Sequence, residues 1–166
     1  LGNGYNLSSP SSYGEECQVL GEMPEHQEET PEPIKQDESL PLVHLIHTGG
    51  TIASKVDYST GAVTARFEPS ELLQAVPELR SIARIRAVKL GNMWSDDIRP
   101  RHWNRMLKAT EEAFAEGAVG VVITHGTDTL HLSAAAMSYG WSGSGGRPPG
   151  RIALTGSQRS PDRGSS

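Results

Sequence analysis

From Leu42 onward, apolar residues recur in two rhythms that alternate along the chain. Residues 42–47 are an apolar run closed by the Thr48-Gly49-Gly50 turn, the pattern of a buried strand. Residues 85–90 set Ile85 and Ala87 between Arg84 and Arg86, then run apolar through Val88 and Leu90. Residues 119–124, Val-Gly-Val-Val-Ile-Thr, are rich in β-branched side chains, and both stretches read as strands. A further strand is predicted over 151–155. The intervening stretches have helical spacing. Residues 69–76 predict a short helix with Pro69 in its first turn, Leu72, Leu73 and Val76 on one face, and Pro77 as the stop. Residues 100–116 place Trp103, Met106, Leu107, Thr110, Ala113 and Phe114 on one stripe, with Gly117 ending the helix. Residues 130–139 predict a helix of small side chains, followed by a glycine-rich loop over 142–149. Strands separated by helices predict an α/β fold, an open parallel sheet with flanking helices and right-handed crossovers. In such sheets, ligands bind at the carboxyl ends of the strands.

Before Leu42 the pattern is different. Residues 1–7 read as the end of a small β domain, because Asn3-Gly4 is a hairpin turn pair and Tyr5 and Leu7 alternate after it. Residues 8–41 are poor in apolar side chains and rich in Ser, Glu and Pro. They bury too little surface to offset their ordering entropy, which predicts an acidic flexible linker. Nine acids lie between Glu15 and Glu38 against a single Lys35, so this stretch carries -8 of the chain's net -5 and leaves +3 elsewhere. That remainder permits contact with RNA without requiring it. Cys17 is the single cysteine, which excludes an internal disulfide and fits a reducing cytoplasm. Its acidic surroundings disfavour the thiolate. No apolar run approaches the roughly 18 residues of a membrane span. The chain opens at Leu1 and stops just after a charged loop, and the pattern calls for more chain than this, so a partial sequence is expected.

The loops leaving the strands carry the chemistry. In His47-Thr48-Gly49-Gly50-Thr51-Ile52-Ala53-Ser54, two glycines let the backbone turn sharply and aim the Thr51 hydroxyl into a site. The same residues could be a simple glycine turn or a phosphate cradle, although neither nucleotide-binding glycine signature is present. In Thr124-His125-Gly126-Thr127-Asp128-Thr129, three hydroxyls, an imidazole and a carboxylate crowd six residues. Helix capping by Asp128 or Thr129 accounts for one of them and leaves the others. Two threonines beside glycine turns suggest nucleophilic acyl transfer. A threonine hydroxyl needs a neighbouring base or charge for this, and backbone amides of the turns, at Gly50 and Gly126, can hold an oxyanion. A metal site is disfavoured: His44 and His47 face opposite sides of a strand, and His125 with His131 has no third ligand. Trp94 and Trp103 with Arg99, Arg101 and Arg105 read as the solvated basic edge of an amphipathic helix rather than a nucleic-acid surface.

Thr48-Gly49-Gly50-Thr51-Ile52-Ala53 and His125-Gly126-Thr127-Asp128-Thr129, in this order and spacing, resemble the two signature motifs of the bacterial-type asparaginase/glutaminase family. The resemblance covers residues 42–166 and implies an incomplete N-terminal asparaginase-like α/β domain. By motif, Thr51 resembles the family's nucleophile, and Tyr58 its activating tyrosine. Ser95 resembles the residue that binds the substrate α-carboxylate, and Asp128 the group that holds the α-ammonium. Thr127 resembles the second threonine, which works with a lysine on the acyl or water step. Asp96 stands where simple asparaginases often have glutamine. The expected lysine belongs to a later segment, and Lys35, Lys55, Lys89 and Lys108 do not fit its place, so the 166-residue chain alone is expected to be inactive.

Within the family, residues 1–6, 55–64, 93–97 and 156–163 resemble most the D-type subunits of archaeal glutamyl-tRNA(Gln) amidotransferases. That likeness implies a cytoplasmic glutamine amidohydrolase, dimeric in its asparaginase core, that releases ammonia through a threonine nucleophile. An E-type partner subunit would use ATP and Mg to activate Glu-tRNA(Gln) and convert it to Gln-tRNA(Gln). Residues 54–62 would be the moving part that closes over the site. The complex would bind tRNA(Gln), and this chain would need no cofactor or metal of its own and no membrane. A stand-alone cytoplasmic L-asparaginase and a non-catalytic scaffold domain are the alternatives.

Overall fold

The computed structural model describes residues 35–56, 63–65, 73, 76–143 and 146–158. The expected β-domain end at 1–7, the linker through residue 34, Tyr58 and residues 159–166 lie outside the described residues.

Strands β1 (Leu42–His47), β4 (Arg84–Lys89), β5 (Gly120–Thr124) and β6 (Arg151–Thr155) form one sheet in the order β4-β1-β5-β6. Every neighbouring pair is parallel. Two short strands, β2 (Ser54–Val56) and β3 (Val63–Ala65), make a separate antiparallel ribbon. Three-residue strands are too short to show a period of two, so no pattern along the chain announces them. The stretch expected to move, 54–62, begins as the paired strand β2, and its residues 57–62 lie outside the described residues.

Alternation along β1 divides the core. Ile46 turns to the face covered by helices α1 (Pro100–Ala115) and α2 (Leu130–Gly143), where Met106, Ala109, Ala113, Val121, Ile123 and Met137 are buried with it. Leu45 turns to the other face and packs with Leu73, Ala83 and Ile85. The α1 stripe is the one its spacing predicts. Pro100 occupies the first turn, where a missing N–H costs nothing, and the Arg99 N–H donates to His102 Nδ1 at 3.0 Å.

The end of one predicted helix changes. Helix α2 continues to Gly143, four residues past the predicted end and into the stretch read as loop. Trp141 supplies the reason: it stacks edge-on against Phe114, ring centroids 6.0 Å apart, and so keeps the last turn on the core. Ser142 Oγ also donates to the Ser138 carbonyl at 2.8 Å. Pro77, predicted to end a helix, opens a 3-10 turn over Pro77–Ser81, its fixed φ suiting a first position. Of the predicted helix at 69–76, only Leu73 and Val76 are described. Leu73 is helical and buried.

The segment before β1 is docked at the sheet edge. Gln36 Nε2 donates to the Ile85 carbonyl at 2.9 Å, and its Oε1 accepts the Ile85 N–H at 2.6 Å. One side-chain amide thus mimics a neighbouring strand residue and covers part of the free edge of β4.

Candidate active site

The sheet register brings four loops to one edge. His47, the last residue of β1, pairs with Lys89 and with Thr124, and Thr124 pairs with Thr155. All four strands therefore end in one row. The chain leaves β1 toward β4 and leaves β5 toward β6, so the crevice between the ends of β1 and β5 is the switch point where such sheets bind ligands.

Hydrogen bonds fasten the loops to one another across that crevice. The Thr48 N–H and hydroxyl both donate to the Thr124 carbonyl, at 3.2 and 2.9 Å. The Met93 N–H donates to the Thr48 carbonyl at 2.8 Å, and the His125 N–H to the Thr155 carbonyl at 2.9 Å. Thr129, one of the two residues expected to cap α2, stands just before the helix, its carbonyl accepting the Ser133 N–H at 3.2 Å, and its hydroxyl donates to the Ser95 carbonyl at 2.7 Å. That bond joins the loop after β5 to the loop after β4 across 34 residues.

The glycines decide how close the loops come. Gly49 and Gly50 have φ of +131° and +90°, values that side chains disfavour. A β-carbon on Gly50 would lie 2.7 Å from the Gly126 nitrogen, and one on Gly126 would lie 2.8 Å from Ser95 Cβ. Gly50 therefore meets Gly126 backbone against backbone and Gly126 meets the Ser95 side chain, so that Gly126 lies between Gly50 and Ser95. Thr51 and Thr127 each follow one of the two touching glycines. With about 3.8 Å between consecutive Cα atoms, the two threonine Cα atoms lie within roughly 12 Å of each other. Ser95 is buried at the contact, Thr127 is half-buried, and Thr51, Asp96 and Asp128 are exposed. Of the sequence-predicted site residues, Thr51, Ser95, Asp96, Thr127, Asp128, Gly50 and Gly126 thus belong to loops that meet at one place. Tyr58 lies outside the described residues.

His125 has a different role from its crowded neighbours. Its Nδ1–H donates to the Gly126 carbonyl at 2.7 Å, so Nε2 accepts, at 2.8 Å, the hydroxyl proton of Ser133. Ser133 in turn accepts the Trp103 indole N–H at 2.9 Å. These bonds leave the imidazole fully used and neutral. Burial holds its pKa below the usual histidine value, against the opposing pull of the Gly126 carbonyl. His125 therefore fixes the backbone of the second loop and ties α1 and α2 to it. The sequence could not show this, because the partners Ser133 and Trp103 sit on two separate helices. The same bond holds Trp103 partly buried against the core, whereas Trp94 is exposed, and Arg105 donates to the Leu90 carbonyl at 2.8 Å.

His47 lies beneath the first loop, with Nδ1 2.9 Å from Thr124 Oγ1. Burial, then the positive charge of Lys89, lowers its pKa from 6.5 to about 4. The unfolded chain takes up this proton near 6.5 and the folded chain only near 4. The stability is therefore complete above 6.5 and is lost as pH falls through that window, by about 3 kcal/mol. We expect the denaturant midpoint to fall between pH 6.5 and 4 and the fall to shrink in His47→Gln; equal slopes in the two proteins would contradict this. His44 sits on the opposite face with Nε2 3.3 Å from a Glu116 carboxylate oxygen, so the two histidines share no ion. No cluster of three metal-ligating side chains occurs among the described residues. No helix among them is long and apolar enough to cross a membrane.

Comparison with known proteins places this arrangement. The family model for the N-terminal part of asparaginases matches residues 42–166. The D-type subunit of the glutamyl-tRNA(Gln) amidotransferase of Archaeoglobus fulgidus is 43% identical over 166 residues, covering 100% of this chain and 37% of that protein. Its counterpart in Methanosarcina acetivorans is 40% identical over 164 residues, covering 99% and 35%. The chain spans about a third of the length of the curated relatives it matches. Among solved structures, the thermostable L-asparaginase from Thermococcus kodakarensis matches with a TM-score of 0.62 and 33% identity, over 73% of this chain and 35% of its own. L-asparaginase I from Vibrio cholerae, at 23% identity and a TM-score of 0.59 over 74% of this chain and 36% of its own, shares the fold. Across residues 42–166, the chain belongs to the asparaginase family, as part of its N-terminal domain.

Proposed function

We propose that this chain carries the nucleophile end of a glutamine amidohydrolase that supplies ammonia to a tRNA-dependent amidotransferase. The observation that carries the amidohydrolase reading is the contact of Gly50 with Gly126 and of Gly126 with Ser95, which brings two threonine loops and a serine to one crevice. The relatives named as D-type subunits of glutamyl-tRNA(Gln) amidotransferases, 40 to 48% identical, support the transamidation setting.

In this reading the Thr51 hydroxyl attacks the side-chain amide carbon of glutamine, with Tyr58 drawing off its proton. The negative charge that develops on the carbonyl oxygen meets the backbone of the glycine turns at Gly50 and Gly126. The C–N bond then breaks as the proton taken from Thr51 passes to the leaving nitrogen, ammonia departs, and a water cleaves the ester formed on Thr51. Thr127 serves the acyl and water steps together with a lysine from a later segment of the longer protein. Ser95 receives the substrate α-carboxylate, Asp128 the α-ammonium, and Asp96 lines the same pocket. An E-type partner subunit, working in the cytoplasm with ATP and Mg on Glu-tRNA(Gln), consumes the ammonia. The asparaginase core acts as a homodimer.

Unrestrained hydrolysis wastes glutamine, so the first loop should close productively only when partner and tRNA are in place. The full-length protein alone is expected to hydrolyse glutamine slowly. Adding the partner and tRNA(Gln) charged with glutamate should raise the rate, because closure of the loop then completes the site. The likeness to the Thermococcus kodakarensis L-asparaginase favours a second reading, a stand-alone asparaginase. Fast asparagine hydrolysis that ignores partner and tRNA would establish that reading instead.

A further inference from the structure

We propose that Gln158, on the loop after β6, is a positioning residue that fixes the direction of the Thr127 hydroxyl. The inference rests on the reading of Thr127 as a working group of the site.

The loop after β6 is a further wall of the crevice. A β-carbon on Gly156 would lie 2.6 Å from the His125 carbonyl oxygen and 3.1 Å from Thr127 Cγ2, so this backbone is pressed against the second motif. Two residues later, Gln158 Nε2 donates to Thr127 Oγ1 at 3.2 Å, bridging 31 residues. Gln158 is exposed and buries no surface that the core depends on.

A hydroxyl has one proton and two lone pairs, and it rotates to suit its partners. An amide N–H can only donate, so Gln158 occupies a lone pair of Oγ1 and turns the Thr127 proton away from itself. The methyl group of Thr127 faces Gly156, which fixes the side-chain rotamer from the other side. Together the two contacts set the oxygen position and bar the proton from one of its staggered directions before substrate arrives. Without Gln158, the proton samples its staggered positions and the hydroxyl exchanges partners with water. Pre-organisation of this kind acts on turnover more than on substrate binding.

The experiment measures glutamine hydrolysis by the full-length protein with its partner and charged tRNA present, in Gln158→Leu, Gln158→Glu and, as reference, Thr127→Val. Gln158→Leu keeps the size and removes the donor. It should lower kcat by about 10- to 100-fold with KM changed less than about three-fold. Gln158→Glu supplies a carboxylate that only accepts at neutral pH and an O–H donor once protonated. Its kcat should be low at alkaline pH and rise as the pH is lowered through the carboxyl titration, a rise that wild type lacks. Thermal midpoints close to wild type will show that the fold is unaffected.

Wild-type kcat in both Gln158 variants, or a Gln158→Glu defect that does not change with pH, overturns the inference. So does a Gln158→Glu enzyme that is faster at high pH than at low pH, since that would make residue 158 an acceptor. If Thr127→Val is inactive while the Gln158 variants are active, only the role of Gln158 falls. If Thr127→Val retains full activity, the reading of the site itself falls, and the role of Gln158 with it.

Discussion

Thr51→Ala should lower glutamine turnover by about a thousand-fold or more, the scale on which removal of a covalent nucleophile is felt. In the proposed reading Ser95 and Asp128 still hold the substrate, so KM should move little and the loss should fall on kcat. Thr51 is exposed at the first position of a 3-10 turn, Thr51–Ala53, so its replacement removes chemistry and little packing. Stability should stay within about 0.5 kcal/mol of wild type, as for other surface replacements. The measurement is steady-state kinetics on the full-length protein, paired with denaturant unfolding. More than a hundredth of wild-type kcat remaining in Thr51→Ala would mean that another group attacks the amide. Thr51→Ser, which keeps the hydroxyl, should retain a measurable fraction and separates lost chemistry from a disturbed loop.

What could be read in advance followed from residues whose meaning is local. The run of β-branched side chains at 119–124 and the helical stripe from Trp103 to Phe114 each fix one element and one buried face, and both stand in the structure almost as spaced. The loops followed from the strands, because parallel strands in register must end in one row. Contacts between distant residues were not legible. Thr129 looked like a helix cap and its hydroxyl also grips Ser95, and His125 looked like chemistry and instead holds a carbonyl and a serine. Gln158 and Gln36 carry no periodic signal at all, since each acts through one side-chain amide on a partner far along the chain. Polar groups choose partners by three-dimensional proximity, and spacing along a sequence reports that only inside a single element.

Gly50→Ala should destabilise the protein by about 3 to 5 kcal/mol, combining the strain of a left-handed backbone with a forced displacement of packed groups. With φ at +90°, an alanine at this position is disfavoured before it meets anything. Its β-carbon would then lie 2.7 Å from the Gly126 nitrogen and 2.8 Å from the Gly126 Cα. Neither atom can yield as a flexible side chain would, because both belong to the backbone that His125 clamps through the Gly126 carbonyl. The second loop would have to retreat, carrying Thr127 and Asp128 away from Thr51, so activity should fall together with stability. Gly143→Ala provides the contrast. A β-carbon there meets nothing within 4 Å, at the last position of α2, and the change should be neutral or stabilising by up to about 1 kcal/mol. Denaturant midpoints of the two variants, measured side by side, test the claim directly. A Gly50→Ala protein as stable and as active as Gly143→Ala would mean that the first two loops do not touch, and a common pocket for Thr51 and Thr127 would lose its physical basis.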